Sequence, residues 1–420
     1  MWLPHLADVG VMTDVLLRHA AALRLPGAVT QVELLDARLT HPHRPESPVC
    51  RGWATYLVRT TEPSAVQLYV KGFPDDGLSE AAWQLDRRAT HLQEEDLVVW
   101  RFPDDPRLPA LPALVDPRLA AAVLPDEVRD VLGADPALRT TMVRYQPEAS
   151  ATLRLEADRD GAPAVYAKHL ADGTVADVAA RHQALWSRAE RVGAPLLAEP
   201  LAADAERGVL WTRGVPGLPL TSAVPPARLP ETTASVGALL AALHASPVDV
   251  AERVTVDDLL AEARKKADKL ARAHPPVAAL VSGLVSTAEL RRADVVQERD
   301  RTLHGDFHLD QLVGSPQGPV LVDLDSIVRG APEIDLAEFL VDLALRGLPD
   351  GIARDVTGRL LTSYADSSGT DVDPALLAIF ADVEFLNRCY RKLRHHAPGW
   401  QADLETELAR HAAVTDLVGA

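Results

Sequence analysis

The sequence predicts an α+β fold in which a small antiparallel sheet is followed by a long helical half, with a further α+β module in front of both. Three observations carry this. Between Met142 and Lys168, short apolar-alternating runs are broken by turn residues, the pattern of antiparallel strands. From about Val256 to Leu417, apolar residues recur at helical spacing. Ahead of these, residues near Lys71 repeat the strand, turn, strand, lysine order found near Lys168.

The first module is taken as residues 1–138. Placing Lys71 on Lys168, at a constant offset, also aligns Ala54 with Ala151, Thr55 with Thr152 and Tyr69 with Tyr166. A structural repeat is therefore expected, its first copy ending near Trp100–Pro106, with Lys71 and Glu80 in structural or regulatory roles. The Pro-rich span Pro103 to Pro117 reads as a linker. Residues 139–215 form the sheet-bearing lobe. Met142–Tyr145, Ala151–Leu155 and Ala164–Lys168 read as its strands, and Asp160-Gly161 turns between the last two. The turn Gln146–Ser150 contains no glycine. A helix is expected from Val175 to Arg191, with Asp177 and Glu190 its only acids, and Gly208–Gly217 reads as a strand running into a turn. Residues 216–420 form the helical lobe, with helices from Ala234 to Ser246, Val256 to Ala273, Pro276 to Asp294, Ile334 to Arg346, Ile352 to Ser363, Pro374 to Arg394 and Gln401 to Leu417.

Chemistry concentrates in Leu303–Gln311 and Val320–Asp325. His304-Gly305-Asp306 is followed five positions later by the amide Gln311, and an apolar run leads from there to Asp323 and Asp325. Protein kinases place their catalytic and metal loops in this order. Phosphoryl transfer needs a hydroxyl held in line with a γ-phosphoryl group and charge neutralised by Mg²⁺. Asp306 is thus the candidate base, with His304 bracing its loop. Gln311 and Asp323, with Asp325, are candidate metal ligands, hard oxygen donors suited to Mg²⁺ rather than zinc. Lys168 sits where kinases carry the strand lysine that pairs with the α- and β-phosphates. Trp211, Thr212 and Gly214 occupy the hinge at which such kinases read adenine through the backbone.

On these residues the chain resembles the aminoglycoside phosphotransferase-like kinases. The pattern H-G-D-x-x-x-x-N followed by I-D-x-D is met by His304, Gly305, Asp306, Gln311, Asp323 and Asp325, with Gln replacing Asn. Pro332–Ala337 resembles the family's D-P-x-x-D-L-A, which implies that Asp335 holds the catalytic loop. The resemblance is strongest from about Val143 onward, in bacterial members with an H-G-D-F-x-x-x-Q variant and a long N-terminal extension. It implies a bilobal, protein-kinase-like fold and a phosphotransferase using ATP (or GTP) and Mg²⁺ on a hydroxyl of an aminoglycoside, amino sugar or related metabolite. Two other functions fit the same motif. One is a Ser/Thr kinase acting on a natural-product peptide with a partner lyase. The other is a pseudokinase scaffold, favoured by the glycine-free turn, the Gln substitution and the missing helix Glu.

Composition sets the remaining bounds. At 420 residues with 47% hydrophobic and 25% charged residues, the chain is expected to be a multidomain globular protein. It shows no signal-peptide pattern or membrane-length apolar run, so a cytoplasmic location is expected. Cys50 and Cys389 are too few for a disulfide framework. A net charge of −17 argues against nucleic-acid binding and would steer a cationic substrate. The basic run Arg264–Lys269 reads as a solvated helix face.

Overall fold

The computed structural model describes residues 3–40, 51–133, 137–171, 173–192, 197–233, 235–295, 298–316 and 318–419. Cys50 and Ala234, named above, lie outside them. Two five-stranded antiparallel sheets come first. The first contains β1 (Val29–Thr40), β2 (Arg51–Thr60), β3 (Val66–Gly72), β4 (Thr90–Leu92) and β5 (Leu97–Arg101), in the order β1-β2-β3-β5-β4. The second contains β6 (Leu138–Gln146), β7 (Ser150–Ala157), β8 (Ala164–Leu170), β9 (Pro200–Asp204) and β10 (Val209–Arg213), in the order β6-β7-β8-β10-β9.

The two sheets share one topology, and in each a helix follows the third strand: Asp76–Leu85 in the first, Val175–Val192 in the second. The repeat suspected from sequence is therefore present as a strand order. Its register differs. Thr55 lies opposite Tyr69, whereas Thr152 lies opposite Lys168, a slip of two positions against the constant-offset alignment. A two-residue slip keeps every side chain on its face, so both sheets retain a buried side while their hairpins differ.

Each sheet buries one face because apolar residues alternate along its strands. In β7 the alternation is strict, and Ala151, Leu153 and Leu155 point into the core. The helix Val9–Arg18 covers the first sheet with Met12, Val15 and Leu16 against Tyr56, Val58, Leu68 and Val70. Beneath the second sheet lies the stretch expected to be a linker. Leu108, Leu111 and Leu114 are fully buried there with Leu153, Leu155, Val165 and Trp211. Spaced leucines outweigh the prolines in this span, so it packs as short helices instead of running free.

The C-terminal half is helical around one large core. Val256–Ala273 begins with a reciprocal capping box between Thr255 and Asp258. Pro374–His395 starts with Asp373 as N-cap and Pro at its first position. The helix expected from Gln401 to Leu417 is two, Trp400–Leu408 and His411–Val418. Cys389 is fully buried. No helix among the described residues is long and apolar enough to cross a membrane.

Candidate functional site

Between the second sheet and the helical half lies a cleft of about 380 Å³, within the range of small-molecule sites. Thr152, Tyr166 and Lys168 form its roof, Leu210, Thr212 and Val215 its back, and Val313, Val322 and Leu324 its floor. Gln311, Asp323 and Asp325 close its polar end.

The acids are delivered by a tight turn. Leu312–Ser315 pairs with Gly318–Leu321 as a hairpin, and the chain then reverses through Asp323, whose φ of 64° and ψ of 60° place it in the left-handed region. A non-glycine residue held there costs energy and is typical of functional turns. Lys168 joins both carboxylates: its ammonium contacts Asp323 and lies 2.6 Å from Asp325 Oδ1. Burial works to lower the Lys168 pKa, yet the two carboxylates outweigh it and raise it. Burial also opposes ionisation of Asp323, but its hydrogen bond with Asp325 and the Lys168 charge bring it down to about 2. Asp325 moves the other way, raised by burial and by Asp323. Lys168 thus takes its partners from the turn bearing Asp323 and Asp325, and not from the acids Asp177 and Glu190 of Val175–Val192.

The loop that carries Asp306 is braced from behind. Asp335, fully buried at the start of Glu333–Leu345, accepts hydrogen bonds from the backbone N–H of His304 at 2.7 Å and of Gly305 at 2.9 Å. His244 Nε2 lies 3.0 Å from the same carboxylate, and Tyr364 contacts the other ring nitrogen at 2.9 Å. Burial opposes the Asp335 charge, but His244 and the loop hold its pKa below the ordinary carboxylate range. Gly305 has φ of 79°, and a Cβ there would sit 2.2 Å from the Ser326 carbonyl oxygen. Only glycine fits that approach. His304, of the same motif as Asp306, is fully buried, and its Nε2 lies 3.0 Å from the Val322 carbonyl. It braces the loop and cannot meet a substrate.

Asp306 remains half-exposed. The adjacent His308 imidazole, against the opposing effect of burial, holds its carboxyl below the usual range. Gln311 Nε2 lies 3.5 Å from Asp306 Oδ2, so the amide borders both Asp306 and the cleft. Among the described residues no three His, Cys, Asp or Glu side chains form a metal cluster. The donor set nevertheless fits Mg²⁺. The paired carboxylates of Asp323 and Asp325 already enclose a cation, the Lys168 ammonium, and Mg²⁺ needs few protein oxygens when phosphate and water complete its shell.

The three hinge residues present different groups to the cleft. The Trp211 side chain is buried under the sheet in the core, pointing away from the cleft, because in a strand it must face opposite to Leu210 and Thr212. Gly214 spends its N–H on the Ala164 carbonyl at 2.8 Å, and a Cβ would lie 2.9 Å from that oxygen. It is a close-packing glycine, and its N–H is not free for a base. Thr212 does line the cleft. Sequence reasoning missed Tyr166, Thr152, Arg144 and His308. Alternation from Lys168 would have placed Tyr166 on the same face. His308 could have been found from its position two residues after Asp306.

The turn Gln146–Ser150 is also held from outside its own lobe. Both carboxylate oxygens of Glu148 contact Lys71 Nζ, at 2.7 and 2.6 Å. The Glu148 N–H donates to Asp105 Oδ2 at 2.9 Å, and Tyr145 donates its hydroxyl to the same oxygen. Glu80 contacts His91 instead of Lys71.

The family model described as the phosphotransferase enzyme family matches residues 148–371, more than half of the chain. Solved structures are similar at low identity. A type VIII aminoglycoside-3'-phosphotransferase is 20% identical, covering 62% of this chain and 97% of that one, with a TM-score of 0.43. The choline kinase LicA from Streptococcus pneumoniae is 14% identical over 64% and 93% of the two chains, with a TM-score of 0.44. A choline/ethanolamine kinase family protein from Mesorhizobium loti is 17% identical over 71% and 92%, with a TM-score of 0.49. No curated protein matches the chain.

Proposed function

The chain belongs to the phosphotransferase enzyme family, and from that premise we propose that it transfers the γ-phosphoryl group of ATP to a hydroxyl of a small molecule. The single observation that supports this most is the convergence of Lys168, Asp323, Asp325 and Gln311 at one end of a cleft with Asp306 beside them. Each has a task. Lys168 binds phosphate oxygens. Asp323 and Asp325, with Gln311, would hold Mg²⁺, which supplies charge neutralisation on the phosphates when bound. Asp306, whose carboxyl His308 holds below its usual range, accepts the proton of the attacking hydroxyl and orients its oxygen.

The apolar wall of Leu210, Val215, Val322 and Leu324 fits a planar base. Thr212 is the hinge residue in reach of it. Of the three features that favoured a pseudokinase, the missing helix Glu loses its weight, since Lys168 has carboxylate partners without it. Aminoglycosides and amino sugars, implied by the motif resemblance, are one acceptor class to test beside neutral and anionic alcohols.

The test is Mg²⁺-dependent ADP release with Asp306→Asn and Asp323→Asn variants. Asp306→Asn is expected to lower turnover by roughly 10²–10⁴-fold while binding of the ATP analogue AMP-PNP is unchanged. Asp323→Asn is expected to weaken the Mg²⁺ dependence itself. Wild-type-like turnover in either variant refutes the assignment.

A further inference from the structure

We propose that the chain has a second small-molecule site, a cavity behind the loop of Asp306 that takes a phosphate group, free or carried by a small hydroxylated molecule. The proposal goes beyond the phosphotransferase reading and does not depend on it. The cavity measures about 360 Å³, close to the volume of the cleft already described, and shares none of its lining residues.

Three arginines converge on it. Arg299 and Arg301 belong to the segment that runs directly into His304, and Arg329 lies on the neighbouring strand, opposite Thr302. Among the described residues, Asp300 is the one acid on the cavity wall, and it serves Arg329 at 3.0 Å and Arg253 at 4.0 Å. Arg299 is held by Glu333 at 2.5 Å and by the Asp371 carbonyl at 2.8 Å. Arg301 is different. It has no carboxylate partner among the described residues, and its guanidinium meets the Asp300 carbonyl at 3.4 Å.

Two helices, Val236–His244 and Asp350–Ser368, end at the cavity, and their last carbonyls could have claimed these donors. Other groups serve them. The Ser246 hydroxyl donates to the Ala242 carbonyl at 2.8 Å, the Thr302 hydroxyl to the Ser246 carbonyl at 2.6 Å, and the Gly369 N–H to the Ala365 carbonyl at 2.9 Å. Arg301 therefore lines the cavity with most of its donors unspent. A guanidinium presents those donors as a planar fork that matches two oxygens of a phosphate. Ser367 and Thr370, both exposed on the same cavity, add hydroxyls for a third oxygen, which a carboxylate lacks. A cation would meet three guanidinium groups against one lining carboxylate.

The cavity also touches the brace of the Asp306 loop. His244 and Tyr364 line it, 2.9 Å from one another, and His244 Nε2 lies 3.0 Å from the Asp335 carboxylate. A ligand here reaches that brace without entering the cleft.

The experiment titrates the full chain calorimetrically with inorganic phosphate, glucose 6-phosphate and glucose. Both phosphates are expected to bind at millimolar concentration, more weakly as salt rises, and glucose is not. The tighter of the two tells whether a free ion or an ester fills the site. Arg301→Ala and Ser367→Glu, each at an exposed position, should weaken that binding roughly tenfold or more. The first removes a charge-assisted bond, the second adds a carboxylate to the wall, and thermal melts should show both folded. Absence of phosphate binding at millimolar concentration overturns the proposal, as does equal binding of glucose and its phosphate. Phosphate binding that neither variant weakens overturns it too, because the ion would then sit elsewhere.

Discussion

Replacing Lys71 by Met removes one half of the contact between the first sheet and the turn Gln146–Ser150. Both partners are about four-fifths buried, with side-chain exposures of 20% and 21%, and the ammonium meets both carboxylate oxygens. Exposed ion pairs contribute under about 1 kcal/mol, while breaking a fully buried one costs about 3–5 kcal/mol. This pair lies between, at about 1–2 kcal/mol. Glu148 also holds φ of 58°, a left-handed conformation that costs about 1 kcal/mol or more and persists only while its surroundings enforce it. Losing 1–2 kcal/mol lowers the population of the ordered turn roughly 5–30-fold, and AMP-PNP affinity should fall by up to that factor. Calorimetric titration of Lys71→Met, Glu148→Gln and the double variant, with thermal melts in parallel, checks this through a double-mutant cycle. Strictly additive effects, or a lowered melting temperature with nucleotide affinity unchanged within about twofold, would refute the reasoning.

Other outcomes follow from single contacts. Gly305→Ala should destabilise the fold by at least about 2 kcal/mol in denaturant titration, because its Cβ meets the Ser326 carbonyl at 2.2 Å; an unchanged midpoint would contradict that geometry. Glu338, whose carboxylate accepts the Phe307 N–H at 2.8 Å, has its pKa raised well above the ordinary 4.5 by burial and then by Asp335 and Glu384. Its contribution to stability is complete below pH 4.5 and declines as pH rises toward the raised folded value. Glu338→Gln should therefore raise the melting temperature near neutral pH and leave it unchanged near pH 4.5, and a gain that does not grow with pH would sink the assignment.

Much of this site was legible because it is local. His304 to Asp325 spans two turns and a hairpin, so spacing alone fixes which side chains can meet, and β7 and β8 were readable from their alternation. What sequence could not show is long-range. Lys168 finds Asp323 and Asp325 more than 150 residues away, and Lys71 finds Glu148 across 77 residues. Nothing in either neighbourhood encodes those partners. Trp211 is different: strand alternation already requires that its side chain and that of Thr212 face opposite sides. The span Pro103–Pro117 packs against the second sheet because Leu108, Leu111 and Leu114, which bury fully, outweigh its prolines.

Two lysines on sheets of one topology have come to different ends, and electrostatics gives a reason. Lys168 faces the loop bearing Asp323 and Asp325, whereas Lys71 faces the turn of the second sheet. A glycine-rich turn would offer phosphates its backbone N–H groups at close range. The turn here carries Glu148 instead, between Arg144 and Thr152, which line the cleft. An uncompensated carboxylate so placed would repel a triphosphate. Lys71 of the first sheet cancels that charge while Asp105, in the span after it, takes the Glu148 N–H, so the two together supply the neutrality and the shape that glycines would otherwise provide. The two single variants should then differ in severity. Lys71→Met leaves a bare carboxylate on the turn between two cleft-lining strands and should weaken nucleotide binding more than Glu148→Gln, which removes the charge itself. Adding Glu148→Gln to Lys71→Met should recover part of the loss, because the unpaired charge disappears. If the double variant binds AMP-PNP no better than Lys71→Met alone, the contact acts through shape only, and charge neutralisation is not what the first sheet contributes.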